Sequence, residues 1–175
     1  PDYYFEKLIE IDDDQYLQLL VIDTNPLVSR YHNEPEKYLG ISDQNTDNQL
    51  NWLTAKLQKN DPKIVWKVVV GHHPLYSGGK RKDSADTEEM RRVLAPIFNQ
   101  YQVDAYICGH EHDLQIIKRK EDSFTQFLSG AGSELRPTGV TEGTIYAESV
   151  PGFMAFTITA DEMKVYVIKS HQTDF

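Results

Sequence analysis

Apolar and polar positions alternate in short runs along most of this chain, and in two stretches they switch to helical spacing. Residues 4–11 and 16–22 predict two strands joined by the acidic turn Asp12-Asp-Asp14. The second run becomes continuously apolar toward its end, as a strand covered on both faces should. Residues 24–44 show no period and contain Asn25-Pro26 and Glu34-Pro35, which predicts a long loop. A loop of that length inside a compact domain has a role of its own or contacts another segment.

Thr46 with Gln49 three residues on has capping-box spacing. Leu50, Leu53 and Leu57 then recur at helical intervals, predicting a helix over about 47–59. A second helix follows with Asp86 as its cap, Glu89 at the third position, and Met90, Val93, Leu94, Ile97, Phe98 and Tyr101 on one stripe. Pro96 lies inside it and, lacking an amide donor, predicts a kink. Strands over 64–70 and 103–108 flank this helix and make one crossover unit. Right-handed crossover geometry sets the two strands parallel, with their carboxyl ends at one edge of the sheet. Residues 114–120, 124–128, 152–159 and 164–169 predict further strands, an antiparallel set broken by the glycine-containing loop 130–143. No repeat, low-complexity segment or linker divides the chain.

A chain of 175 residues, 39% hydrophobic and 26% charged, is enough for one domain with a substantial core. Its net charge of −9 argues against nucleic acid and anionic membrane as partners, since both select a basic face. A phosphoester substrate stays compatible, because bound metal reverses the local field. No stretch has the length of a membrane span. The single cysteine, Cys108, lies in a strand and reads as a small buried hydrophobe. Neither it nor the first residues, which carry no signal-peptide pattern, assign a compartment.

Chemistry concentrates where two of the apolar strands end. Val68-Val-Val-Gly-His-His-Pro74 and Asp104-Ala-Tyr-Ile-Cys-Gly-His-Glu-His112 each run through a glycine into histidine at the carboxyl end of a buried strand. Open α/β sheets place their sites there. A lone histidine in such a place reads as a hydrogen-bonded core side chain. Two strands ending alike, one with histidines at i and i+2, point instead to neutral imidazoles gathered as metal ligands for hydrolysis. Gly71 and Gly109 are expected to allow close turns of the backbone.

These residues resemble the C-terminal pair of motifs of calcineurin-like metallophosphoesterases, and the flanks resemble the purple acid phosphatase branch of the tartrate-resistant type. Leu19-Leu-Val-Ile-Asp-Thr24, Gln49-Leu-Asn-Trp-Leu53, Leu114-Gln115 and Leu128-Ser-Gly-Ala-Gly132 carry the flanking likeness. The resemblance implies an α/β fold: the C-terminal half of a four-layer αββα sandwich, with two helices on a mixed sheet and a second, antiparallel sheet. It implies hydrolysis of phosphomonoesters at a dinuclear centre, iron plus a divalent metal such as zinc, manganese or iron. His72 and His110 match ligands of the divalent metal, and His112 matches a ligand of the iron. Phosphodiesterases and nucleotidases sharing the motifs, and a non-catalytic half-domain that binds metal or a partner, remain open. Secretion or a periplasmic location is a further implication.

The family draws its other ligands from Gly-Asp and Gly-Asn-His motifs in an N-terminal half, and none of the ten glycines here is followed by Asp or Asn. Residues 1–175 are therefore expected to be the C-terminal part of such a domain, inactive alone. Its missing half would be a partner, and exposed sheet is expected to favour homodimers. His73 matches a position that is not a ligand, and its readings are an outer-shell or phosphate contact and an exposed rim side chain. Glu111 should point away from the metals, and Asp23 should serve a turn or cap. Lys80-Arg-Lys82 reads as a solvated basic loop that could steer phosphate, and His32 and His171 read as surface residues.

Overall fold

Four strands whose alternate side chains are buried on opposite faces organise the molecule, and they account for its layering. In the computed structural model, which describes residues 3–170, the strands are β1 (Phe5–Asp12), β2 (Gln15–Val21), β3 (Ile64–Val70), β4 (Ala105–Cys108), β5 (Leu114–Ile117), β6 (Thr125–Ser129), β7 (Thr144–Glu148), β8 (Gly152–Ile158) and β9 (Met163–Lys169). The helices are α1 (Ser29–His32), α2 (Thr46–Leu57) and α3 (Ala85–Gln100). A seven-stranded mixed sheet runs β1-β2-β3-β4-β6-β5-β7, and β8-β9 form a two-stranded antiparallel sheet. At its centre β2, β3, β4 and β6 are parallel.

One face of the large sheet presents Leu20, Val69, Tyr106, Cys108 and Leu128 to Leu53 and Leu57 of α2 and Met90, Leu94 and Phe98 of α3. The other presents Leu17, Val68, Ala105 and Phe127 to Met154 and its neighbours in the small sheet. Period-two alternation with both faces apolar is what a sheet sandwiched between layers requires. The predicted α/β class, with two main helices, a mixed sheet and an antiparallel sheet, is the observed one. Cys108 is buried in β4 as expected.

The grouping of the later strands differs from the prediction. β5 and β6 belong to the large sheet, β6 pairing parallel with β4. β7, which the sequence pattern did not mark, adds an edge strand. Among the described residues the antiparallel second sheet therefore has two strands. Loop 24–44 is not uniformly irregular, since a 3-10 turn over Asn25–Leu27 and α1 interrupt it.

Helix termini depart from the sequence reading by one or two residues. Asn45, not Thr46, caps α2 by accepting from the Asn48 N–H at 2.9 Å. Gln49 is buried and clasps the Asp23 main chain, accepting from its N–H at 2.8 Å and donating to its carbonyl at 2.9 Å. Ser84 caps α3, while Asp86 pairs with Arg30 at 2.7 Å and Glu89 accepts from the Ser29 N–H at 2.9 Å. The helix continues through Pro96. It ends in a Schellman motif, with Gln102 left-handed at φ 53° and the Val103 N–H donating to the Phe98 carbonyl at 2.9 Å.

Candidate metal centre

The pairing of β3 with β4 continues past both strands. The Gly71 N–H donates to the Ile107 carbonyl and the Gly109 N–H to the His72 carbonyl, each at 3.0 Å. The two histidine motifs are thus stitched side by side at the carboxyl edge. His72 Nε2 and His110 Nδ1 stand 2.9 Å apart, with their rings nearly perpendicular. Two neutral imidazoles can place at most one N–H between those atoms. When neither does, two lone pairs converge on one point, as ligands of a common cation do.

The backbone is shaped for this meeting. His110 has φ 69°, a left-handed conformation that histidine adopts more readily than most residues, yet one that typically costs about 1–3 kcal/mol. A Cβ on Gly71 would come within 2.5 Å of the Tyr106 hydroxyl oxygen, which crosses there to donate to the His73 carbonyl at 2.7 Å. Gly109 is under no such demand, because a Cβ would meet nothing closer than His72 Nδ1 at 4.0 Å. Neither glycine has a positive φ, so what glycine provides is room for close packing, at Gly71 and not at Gly109.

Burial, then the Arg81 guanidinium, lowers the pKa of His72, while Asp23 acts the other way. Burial, then Arg81 and His72, brings His110 down to about 3. Burial, then His110 and His72, brings His73 down to about 3. The site therefore holds uncharged imidazoles, the form that binds metal.

Ligand atoms of His72, His73 and His110 all lie within 4.8 Å of one another. Proximity alone does not make His73 a ligand, because both its nitrogens are engaged. Nδ1 is 2.8 Å from Thr24 Oγ1 and Nε2 is 3.2 Å from the Tyr31 hydroxyl. His73 is also buried, which corrects the exposed-rim reading. His110 Nε2 and His112 Nδ1 are buried with no hydrogen-bond partner among the described residues. His112 stands outside the trio, its Nδ1 4.0 Å from the Glu134 carboxylate. The facing nitrogens of His72 and His110 form a donor pair that fits a transition-metal ion, and His112 Nδ1 is an unpartnered nitrogen outside that pair.

Glu111 turns away as expected, and it is fully engaged. It accepts from the Ser77 hydroxyl at 3.0 Å, the Arg81 N–H at 2.5 Å and the Arg81 guanidinium at 3.1 Å. Arg81 also donates to the His110 carbonyl at 3.3 Å, and Lys82 to the Val140 carbonyl at 3.1 Å. The solvated basic loop is thus corrected, since Arg81 is anchored in the wall of the site while Lys80 remains exposed. Asp23 serves the turn, accepting from the Asn25 N–H at 2.9 Å and from Gln44 at 3.0 Å. His32 is exposed, and His171 lies outside the described residues. The roles of Thr24, Tyr31 and Arg81 were not foreseen in the sequence. A hydroxyl directly after Ile22-Asp23 at a strand end was the one available signal.

His73 also sets a pH dependence for the metal-free chain. Above pH 6.5 neither the folded nor the unfolded state protonates it, so it costs nothing. Between 6.5 and about 3 the unfolded state takes a proton that the folded state refuses, and stability falls as pH falls. The melting temperature should drop between pH 6.5 and 4.5, and less steeply in His73→Gln; equal slopes in the two proteins would remove His73 as the cause.

Residues 3–114 match the family model described as calcineurin-like phosphoesterase. Among curated relatives, purple acid phosphatase 7 of Arabidopsis thaliana is 35% identical over 81% of this chain and 44% of its own. Tartrate-resistant acid phosphatase type 5 of Homo sapiens is 31% identical over 70% of this chain and 39% of its own. The chain thus spans less than half the length of these relatives. Two solved structures share the fold. One is the purple acid phosphatase PPD1 of yellow lupin (Lupinus luteus), with TM-score 0.69 and 16% identity over 94% of this chain and 30% of that one. The other is GAP50, described as the anchor in the inner membrane complex of Plasmodium, with TM-score 0.76 and 20% identity over 98% of this chain and 51% of that one. A family model matched through both histidine motifs, and relatives aligned over most of the chain, agree with the paired strand ends: the chain belongs to the calcineurin-like phosphoesterase family.

Proposed function

We propose that residues 1–175 are the C-terminal half of a phosphoester hydrolase, an acid phosphatase acting on small phosphomonoesters. The 2.9 Å approach of His72 Nε2 to His110 Nδ1, at the carboxyl edge of two parallel strands, carries this reading. His72 and His110 would hold a divalent ion (zinc, manganese or iron), and His112 a neighbouring iron. Bound there, the ions supply charge stabilisation and orientation for a phosphoryl group. The remaining ligands belong to a segment outside these residues.

The chain's own groups prepare that chemistry. β3 and β4 hold the imidazoles in register, and their depressed basicity keeps the lone pairs available near neutral pH. The Arg81 guanidinium, pinned by Glu111, puts positive charge beside the site in an otherwise acidic protein. Loops 24–44 and 130–143 flank the histidines and would shape the substrate pocket.

Alone, the chain is expected to release no phosphate from an aryl phosphate with zinc, manganese or iron. Joined to the segment that precedes it in the parent protein, it should become active, and faster on monoesters than on diesters. Hydrolysis by the isolated chain would sink the half-domain reading. Preference for diesters would favour a phosphodiesterase. A parent protein inactive across metals and pH would favour a non-catalytic, metal- or partner-binding module.

The outer face of the small sheet supports self-association of the isolated chain. Phe153, Tyr166 and Ile168 are 56%, 47% and 42% exposed there, and Phe153 pairs across the strands with Ile168. Light scattering should detect dimers or larger species, reduced by Phe153→Lys; a monomer at high concentration would refute this.

A further inference from the structure

Thr24 follows β2, is 1% exposed, and holds a single hydroxyl among three polar groups of the histidine segment. Its Oγ1 accepts the His72 N–H at 3.2 Å and the His73 N–H at 3.1 Å, and it stands 2.8 Å from His73 Nδ1. A hydroxyl has two lone pairs and one proton. Two N–H donors occupy the lone pairs, so the proton goes to His73 Nδ1. The opposite assignment, with Nδ1–H donating, would aim three donors at two lone pairs and leave the hydroxyl proton without an acceptor among the described residues.

With Nδ1 accepting, the proton of neutral His73 sits on Nε2 and is donated to the Tyr31 hydroxyl oxygen at 3.2 Å. Tyr31 is in turn stacked on Tyr38 at 4.1 Å between ring centroids. On the other side the Tyr106 hydroxyl donates to the His73 carbonyl at 2.7 Å. One buried oxygen therefore sets the main chain that carries His72, fixes the tautomer of His73, and links loop 24–44 to the histidines through Tyr31.

We propose that Thr24 is a positioning residue of the metal centre, holding His72 toward His110 and locking His73 as an Nε2–H imidazole with no lone pair to offer a metal. The assignment divides three clustered histidines into two ligands and one strut. Its bearing on metal binding rests on the proposed function; the tautomer does not.

The test uses the full-length protein labelled with 15N at histidine, metal-free at neutral pH, with Thr24→Val and Thr24→Ser variants. Long-range 1H–15N spectra should show His73 protonated at Nε2 only, in wild type and Thr24→Ser, and a loss of that preference in Thr24→Val. Zinc affinity should fall about 10–100-fold in Thr24→Val, the usual cost of losing an outer partner of a ligand, and stay near wild type in Thr24→Ser. A His73 ring protonated at Nδ1 in the wild type overturns the proposal whether or not Thr24→Val folds. So does a folded Thr24→Val protein that binds zinc as tightly as wild type. Absence of phosphatase activity with the tautomer intact would count against the proposed reaction and leave the positioning role standing.

Discussion

His110→Ala in the full-length protein is expected to lower metal-dependent phosphate release by well over the ~10–100-fold that loss of an outer-shell partner costs. The substitution removes the nitrogen that faces His72 Nε2 at 2.9 Å and would leave the divalent ion of the proposed centre one ligand from this chain instead of two. His72→Ala should do the same for the same reason. His112→Ala should also lose most activity, through the second ion of the proposed centre, and His73→Ala should cost less, because both His73 nitrogens are already engaged by Thr24 and Tyr31. Steady-state kinetics on an aryl phosphate, with the metal content of each purified variant measured alongside, would decide this. A His110→Ala enzyme with wild-type kcat and full metal content would end the metal-centre reading.

Glu111→Ala is expected to be the most destabilising single change near the site, by about 3 kcal/mol or more. Its carboxylate is 1% exposed and holds three donors, so truncation leaves the Arg81 N–H and a three-quarters-buried guanidinium without their partner and opens a cavity. The segment from Ser77 to Arg81 would lose its anchor to the histidine motif. Glu111→Gln keeps an acceptor and most of the volume, and should cost much less in stability and little in activity. Urea unfolding of the three proteins would separate these cases. A Glu111→Ala protein within 1 kcal/mol of wild type, on the order of an ordinary surface change, would show the network to be dispensable.

Periodicity was informative where one element meets two partners of known kind. The apolar runs of β2, β3 and β4, and the stripe from Met90 to Phe98, each state a burial pattern that only one secondary structure satisfies. The later strands were harder, because alternation says that a strand has two faces and not which neighbour it joins. β6 enters the large sheet beside β4, and β5 returns antiparallel to it, through long-range hydrogen bonds that leave no local trace. β7 escaped notice because an edge strand with Ile145 67% exposed lacks the buried run that marks an interior one. Cap positions slipped by a residue or two for a similar reason, since several adjacent polar side chains could each have capped and geometry selected one.

By itself the sequence determined the two histidine-bearing strand ends and, through crossover handedness, their arrival at one edge, because these follow from local burial patterns and backbone chirality; the fold class came with the family resemblance that its motifs carry. Only the tertiary structure decided which contacts each histidine makes. Which nitrogen faces which, why His73 is sealed between Thr24 and Tyr31, and why Arg81 is anchored by Glu111 all depend on side chains 30 to 49 residues apart in the chain. Hydrogen-bond direction and burial are properties of such contacts, and no spacing along a single chain encodes them.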